Sequence, residues 1–208
     1  MSIPMALVDY IPVVLFGAAA VVLQRGLYEK MSKGAFALFS GGTIMVTVAG
    51  ILKATWKLLY AVGACDFERL NQAFFPMQSL GFLLAGIAVI AMMTFRQSEK
   101  KDKGIKLAAG AVPVVYGGTM IFVTMMVLGV GGMCLGLSIQ AKKQKRIGAV
   151  VLFIIAFVAM LMMGYLSSKD FSKPILNWMG EIVNIIGQGS FLAASLQLTK
   201  KEAKAAEA

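Results

Sequence analysis

The stretch "LAAGAVPVVYGGTMIFVTMMVLGVGGMCLGLSIQA", Leu107 to Ala141, contains no charged residue. Its reading decides how often the chain crosses a membrane. One helix over about 35 residues would be about 50 Å long, against a hydrocarbon core of about 30 Å. Two helices would be short, roughly 17 residues each, with an apolar turn within 120–130. Lys103, Lys106, Lys142 and Lys143 flank the stretch and can extend both by reaching toward the headgroups.

The rest of the chain is simpler. "IPVVLFGAAAVVLQ" ends at Arg25, and "GAFALFSGGTIMVTVAGIL" lies between Lys33 and Lys53. "MQSLGFLLAGIAVIAMMTF" ends at Arg96, "IGAVVLFIIAFVAMLMMGYL" follows Arg146, and a last apolar run extends from Pro174 to Leu198. Each is near the ~20 residues that a spanning helix needs. The chain has 208 residues, 59% hydrophobic and 14% charged. A soluble domain carries about 25% charged residues. The short alternating runs of a membrane barrel are absent. The expectation is an all-α, polytopic transmembrane bundle: one domain over residues 1–199 and a short basic, polar cytoplasmic tail over 200–208. "MSIPMALVDY" lacks a positive n-region, so the first apolar segment is read as a retained span.

Charge arbitrates between six and seven spans, because Lys and Arg collect on the cytoplasmic side. Six spans divide them about 10 against about 10. Seven spans divide them about 5 against about 15, with "KKQKR" at 142–146 and the C-terminus on the basic side. Seven spans, N-terminus outside and C-terminus inside, is therefore preferred over six. The net charge of +10 then reflects topology and anionic lipid headgroups at the inner loops. No aromatic-interleaved basic domain points to nucleic acid. Short basic loops and the lack of a disulfide framework suit a bacterial cytoplasmic membrane.

The chain has no histidine and only two cysteines, Cys65 and Cys134. That removes the usual general base and any metal-ligand pattern, and no P-loop is present. No catalytic residues, metal or cofactor are expected, and the protein is read as not an enzyme. Asn177 to Leu198 contains no lysine, so a lysine-linked retinal has no place in the last span.

The chemistry lies in "GEIVNIIGQGS", Gly180 to Ser190. At 100° per residue, Asn177, Glu181, Asn184, Gln188 and Ser195 fall within one stripe about 60° wide. Lipid cannot solvate it, so it faces the bundle interior or water. Glu181 lies about 10 Å in from Pro174 and must be paired, hydrated or protonated. In the second span, Ser40, Thr43, Thr47, Gly50 and Ala54 form a small, hydroxyl-rich face. Lys53 at its outer end is expected to meet Glu181. The candidate substrate or ion path is therefore Glu181, Asn184, Gln188, Asn177, Thr43, Thr47 and Lys53. The bland alternative is interhelical glue, worth about 0.6 kcal/mol per hydrogen bond.

Secondary features complete the reading. In "ACDFERLNQAFFP", Asp66 is expected to cap a short interfacial helix that stops before Pro76. Pro113 with Gly117 and Gly118 suggests a kinked or broken span, and Gly132 with Gly136 a helix-packing motif. "VVLF" at Val13 recurs at Val150, the spacing of an internal repeat that would be inverted in a seven-span chain. The function expected is a small transporter or channel for a polar solute or ion. The alternative is a non-catalytic sensor or a subunit that docks a partner protein, or forms a homo-oligomer.

Overall fold

The computed structural model describes residues 2–94, 119–167 and 174–200. Helix α1, Ile3–Val8, has a proline in its first turn, where no N–H is needed. Asp9 keeps helical torsions (φ −56°, ψ −24°), so α1 continues into α2, Tyr10–Leu27, as one rod. Ser32 starts α3, Lys33–Ala61, its Oγ accepting from the Ala35 N–H at 3.3 Å. Gly63, at φ +69°, turns the chain just beyond its end. Then follow α4, Glu68–Thr94, α5, Thr119–Lys143, α6, Ile147–Ser167, and α7, Pro174–Thr199. Among the described residues, six helical segments are long and apolar enough to cross a membrane, α1 and α2 counting as one.

The helices form a ring. Each packs on its neighbour in sequence, and α7 closes the ring against α2. Their outer surface carries exposed Val14, Ile44, Leu128, Ile154, Val158 and Ile186, the surface that lipid tails accept.

Residue pairings fix the directions. Tyr10 meets Thr55 and Gln24 meets Thr43, so α2 and α3 are antiparallel. Gly42 lies against Gly81, and Lys53 against Phe74, so α3 and α4 are antiparallel too. The pair α4–α5 differs. Phe75 meets Phe122, Gly86 meets Gly129, and Val89 meets Gly136. Both numbers rise together, so these helices run parallel, and Thr94 and Thr119 stand at opposite ends of the bundle. Gly86 and Gly129 make this possible, since a Cβ on either would strike the other helix's backbone. Gly132 and Gly136 of the expected packing motif face α4 as well.

Charge segregates between the two ends. At one end Arg146 donates to the carbonyls of Gln197 and Lys200, and Gly26 abuts Thr199. Arg25, Lys30, Lys33 and the 142–146 cluster gather there. At the other end lie Asp9, Lys53, Lys57, Asp66, Glu68, Arg69 and Glu181.

Three expectations change. Residues 119–143 form one uninterrupted helix, so no turn falls within 120–130; Pro113, Gly117 and Gly118 lie outside the described residues. Helix α4 does not stop before Pro76 but runs through it. Just beyond it, buried Ser79 donates to the Phe75 carbonyl of its own helix at 2.7 Å, and prolines are tolerated inside membrane helices. Asp66 is not a cap; it accepts from the Trp56 indole at 2.9 Å. Helices α2 and α6, which carry the two "VVLF" runs, point in opposite directions, since α2 is parallel and α6 antiparallel to α7.

Candidate functional site

A cavity of about 570 Å³ opens within the ring, toward the Asp9 end, and all six spanning segments contribute to its wall. Its polar groups come from three elements above all. Helix α7 supplies Glu181, Asn184 and Gln188; α3 supplies Thr47, Lys53 and Lys57; α4 supplies Asn71 and Gln78. Asp9 adds a carboxylate from the junction of α1 and α2.

At the centre is a charged triad. Lys57 donates to Glu181 Oε1 at 3.3 Å and forms an ion pair with Asp9. Sharing one ammonium brings the two carboxyl groups near one another. All three residues are buried, at 9% exposure for Lys57, 8% for Asp9 and 7% for Glu181. A buried charge is tolerated only when paired, and here one ammonium serves two carboxyl groups. Glu181 Oε2 and Gln188 Oε1 are buried acceptors without a hydrogen-bond partner among the described residues. Lys53 sits one turn from Lys57, half-buried, its ammonium 4.0 Å from the centroid of the Phe74 ring.

The cavity ends on aromatic side chains. Phe16 and Phe82 line it, with ring centroids 5.5 Å apart. Phe16 stacks on Phe191, which meets Phe153 edge-on. Beyond them, toward the Arg146 end, Leu23, Met133, Leu137 and Leu198 are fully buried.

Three residues of the α7 stripe share the cavity wall. Glu181, Asn184 and Gln188 all line the cavity, while Ile182 and Ile186 face outward. Asn177 is half-buried one turn farther out. Ser195 lies fully buried beneath the floor, donating to the Phe191 carbonyl.

The partners on α3 differ from expectation. Thr47 lines the cavity, but Thr43 does not. Thr43 accepts from Gln24 Nε2 at 2.9 Å and donates to the Phe39 carbonyl, which ties α3 to α2. The small-residue face of α3 therefore packs on α2: Gly17 lies beside Thr47, and Gly50 beside Val13. Lys53 lines the cavity, yet the lysine that pairs with Glu181 is Lys57. Because α2 lies between α3 and α7 in the ring, only a side chain near the helix end reaches across to Glu181.

Asp9, Asn71 and Gln78 were not legible as site residues. Asp9 is a lone carboxylate in an otherwise uncharged run from Met1 to Gln24, the same signal that singled out Glu181. Asn71 and Gln78 are seven residues apart, two helical turns, which puts them on one face of α4 only if the helix passes through Pro76.

No family model, curated protein or solved structure matches this chain.

Proposed function

We propose that this is an integral membrane protein of seven crossings that takes a polar solute or ion into an outward-facing vestibule and passes it along the last span. The parallel packing of α4 and α5 supports the odd number of crossings, because Thr94 and Thr119 lie at opposite ends of the bundle. The basic residues at the Arg146 end support an inside C-terminus and an outside N-terminus. A bacterial cytoplasmic membrane, with anionic headgroups at the Arg146 end, fits the same distribution.

One observation carries the transport reading. Charged and amide side chains from α7, α3, α4 and Asp9 converge on one cavity inside a ring of apolar helices. Ionisable groups within membrane spans are costly and concentrate on substrate and ion pathways. The cavity's volume falls in the range of small-molecule sites, about 300–1,000 Å³. The groups that line the cavity suit binding and charge exchange, and the reading is kept as a non-enzymatic one.

A second reading draws on the triad itself. Lys57 is satisfied by Asp9 and Glu181 within the protein, as interhelical glue would be. The protein would then be a sensor or a partner-docking subunit, and its polar groups a framework.

Reconstitution in liposomes on a solid-supported membrane separates the two. Amino acids, organic acids, sodium and protons are applied as a panel, and charge movement is recorded. Transport predicts a current in the wild type that Glu181→Gln and Asn184→Leu each reduce about tenfold or more while folding persists. Wild-type currents in both variants, or neither a current nor uptake of radiolabelled solute from the same panel in the wild type, would remove the pathway reading.

A further inference from the structure

The charges around the vestibule do not cancel where they stand. Asp9 and Glu181 share one ammonium, Lys57, so the triad as ionised holds one negative charge in excess. Glu181 Oε2 and Gln188 Oε1, both buried, have no donor among the described residues. These two acceptors belong to residues that line the same cavity.

The excess positive charge sits nearby on a different residue. Lys53 lies one turn from Lys57 on the cavity wall and makes no ion pair among the described residues. Its contact is the face of Phe74. That contact leaves the ammonium's N–H groups available to an anion, because a ring face attracts the charge without supplying a lone pair.

The wall between and below these groups is aromatic. Phe74, Phe75, Phe16 and Phe82 all line the cavity. Such surface contributes affinity by burial and gives little orientation, which the few polar groups must provide.

We propose that the vestibule binds a small zwitterion with an apolar body, of the α-amino-acid type. This rests on the reading of the vestibule as a solute site and names the solute's class. The ammonium group pairs with Glu181 and Gln188 on the cavity wall and offsets the excess negative charge of the triad. The carboxylate accepts from Lys53. The apolar side chain lies among the phenylalanines above the aromatic floor. A ligand of one sign leaves one end of the site uncompensated in a desolvated setting, which is where such mismatches cost most.

Three probes of nearly the same shape test the assignment on the full-length purified protein: phenylalanine, 3-phenylpropionate without the ammonium, and 2-phenylethylamine without the carboxylate. Calorimetric titration should show saturable phenylalanine binding, with each half-molecule about tenfold weaker or more. Lys53→Met should reduce phenylalanine binding to the level of phenylethylamine and leave phenylethylamine unchanged. Lys53 is half-buried and outside the triad, so this variant retains the fold, which thermal unfolding checks. Gln188→Leu should weaken both ammonium-bearing probes and spare phenylpropionate. Equal binding of all three probes, no saturable phenylalanine binding, or unaltered phenylalanine binding in Lys53→Met would each overturn the proposal. The pathway reading fails separately. If phenylalanine does not bind but another solute moves in a Glu181-dependent way, only the zwitterion assignment falls. If phenylalanine binds as expected but flux ignores Glu181 and Asn184, the site stands and the pathway does not.

Discussion

Lys57 of α3 and Glu181 of α7 meet at 3.3 Å although 124 positions separate them in sequence and α2 lies between their helices. The contact links the first and last thirds of the chain through one ammonium, with Asp9 as the third member. Removing that ammonium leaves two buried carboxyl groups facing one another. Lys57→Met is therefore expected to destabilise the protein by about 3–5 kcal/mol. Lys57→Met combined with Asp9→Asn and Glu181→Gln should recover most of that loss. Thermal unfolding in detergent reads both, and a triple variant no more stable than Lys57→Met would show that the charges are not the cause.

Topology has a direct readout. Cys65 is exposed at the Asp9 end, and Gln144 sits in the turn between α5 and α6 at the Arg146 end. In a seven-crossing chain these positions face opposite compartments. A membrane-impermeant maleimide should label Cys65 from outside in intact cells. It should reach Gln144→Cys, made in a Cys65→Ser background, only after lysis. Labelling of both from the same side would rule out the seven-crossing map.

The α4–α5 seam depends on the absence of side chains at two positions. An added Cβ at Gly86 or Gly129 meets backbone of the opposite helix, which has no rotamer to yield. Gly86→Ala and Gly129→Ala are each expected to cost about 1–3 kcal/mol by overpacking. Gly34→Ala, where nothing lies within 4 Å, should show no such loss. Unfolding midpoints of the three variants give the comparison; equal midpoints would mean that the helices do not approach as closely as this.

Thr43 and Asn184 stood together as path candidates, and the structure separates them. Thr43 is tied to Gln24 and Phe39, away from the cavity. Thr43→Val should cost about 0.6 kcal/mol and leave any solute current intact. Asn184→Leu should do the reverse, lowering current with a smaller effect on stability. Loss of current in Thr43→Val would return that residue to the pathway.

How much of this was legible follows from which physics is local. The stripe on α7 was visible because helical periodicity alone brings Glu181, Asn184 and Gln188 to one face. Helix identity was visible because apolar run lengths match a membrane. The choice of Lys57 over Lys53 was not, because it depends on how far α3 stands from α7 and on what lies between them. Asp9 was missed because it was read as lying ahead of the first span; α1 extends the helix back to Ile3 and places that carboxylate in the wall. Pro76 misled in the opposite sense. A proline ends an isolated helix, but within a bundle the interior packing of Ser79, Phe82 and Ala85 holds α4 together on the far side of it.

The aromatic floor has a kinetic consequence. Phe82, Phe16, Phe191 and Phe153 touch in that order across the ring, and fully buried Leu23, Met133, Leu137 and Leu198 lie beyond them. A standing aqueous column would need these side chains to be elsewhere. Any solute that completes the journey must wait for rings and helices to rearrange, once per molecule. If the proposed pathway operates, it therefore turns over and saturates as a carrier does, without the unitary currents of an open pore.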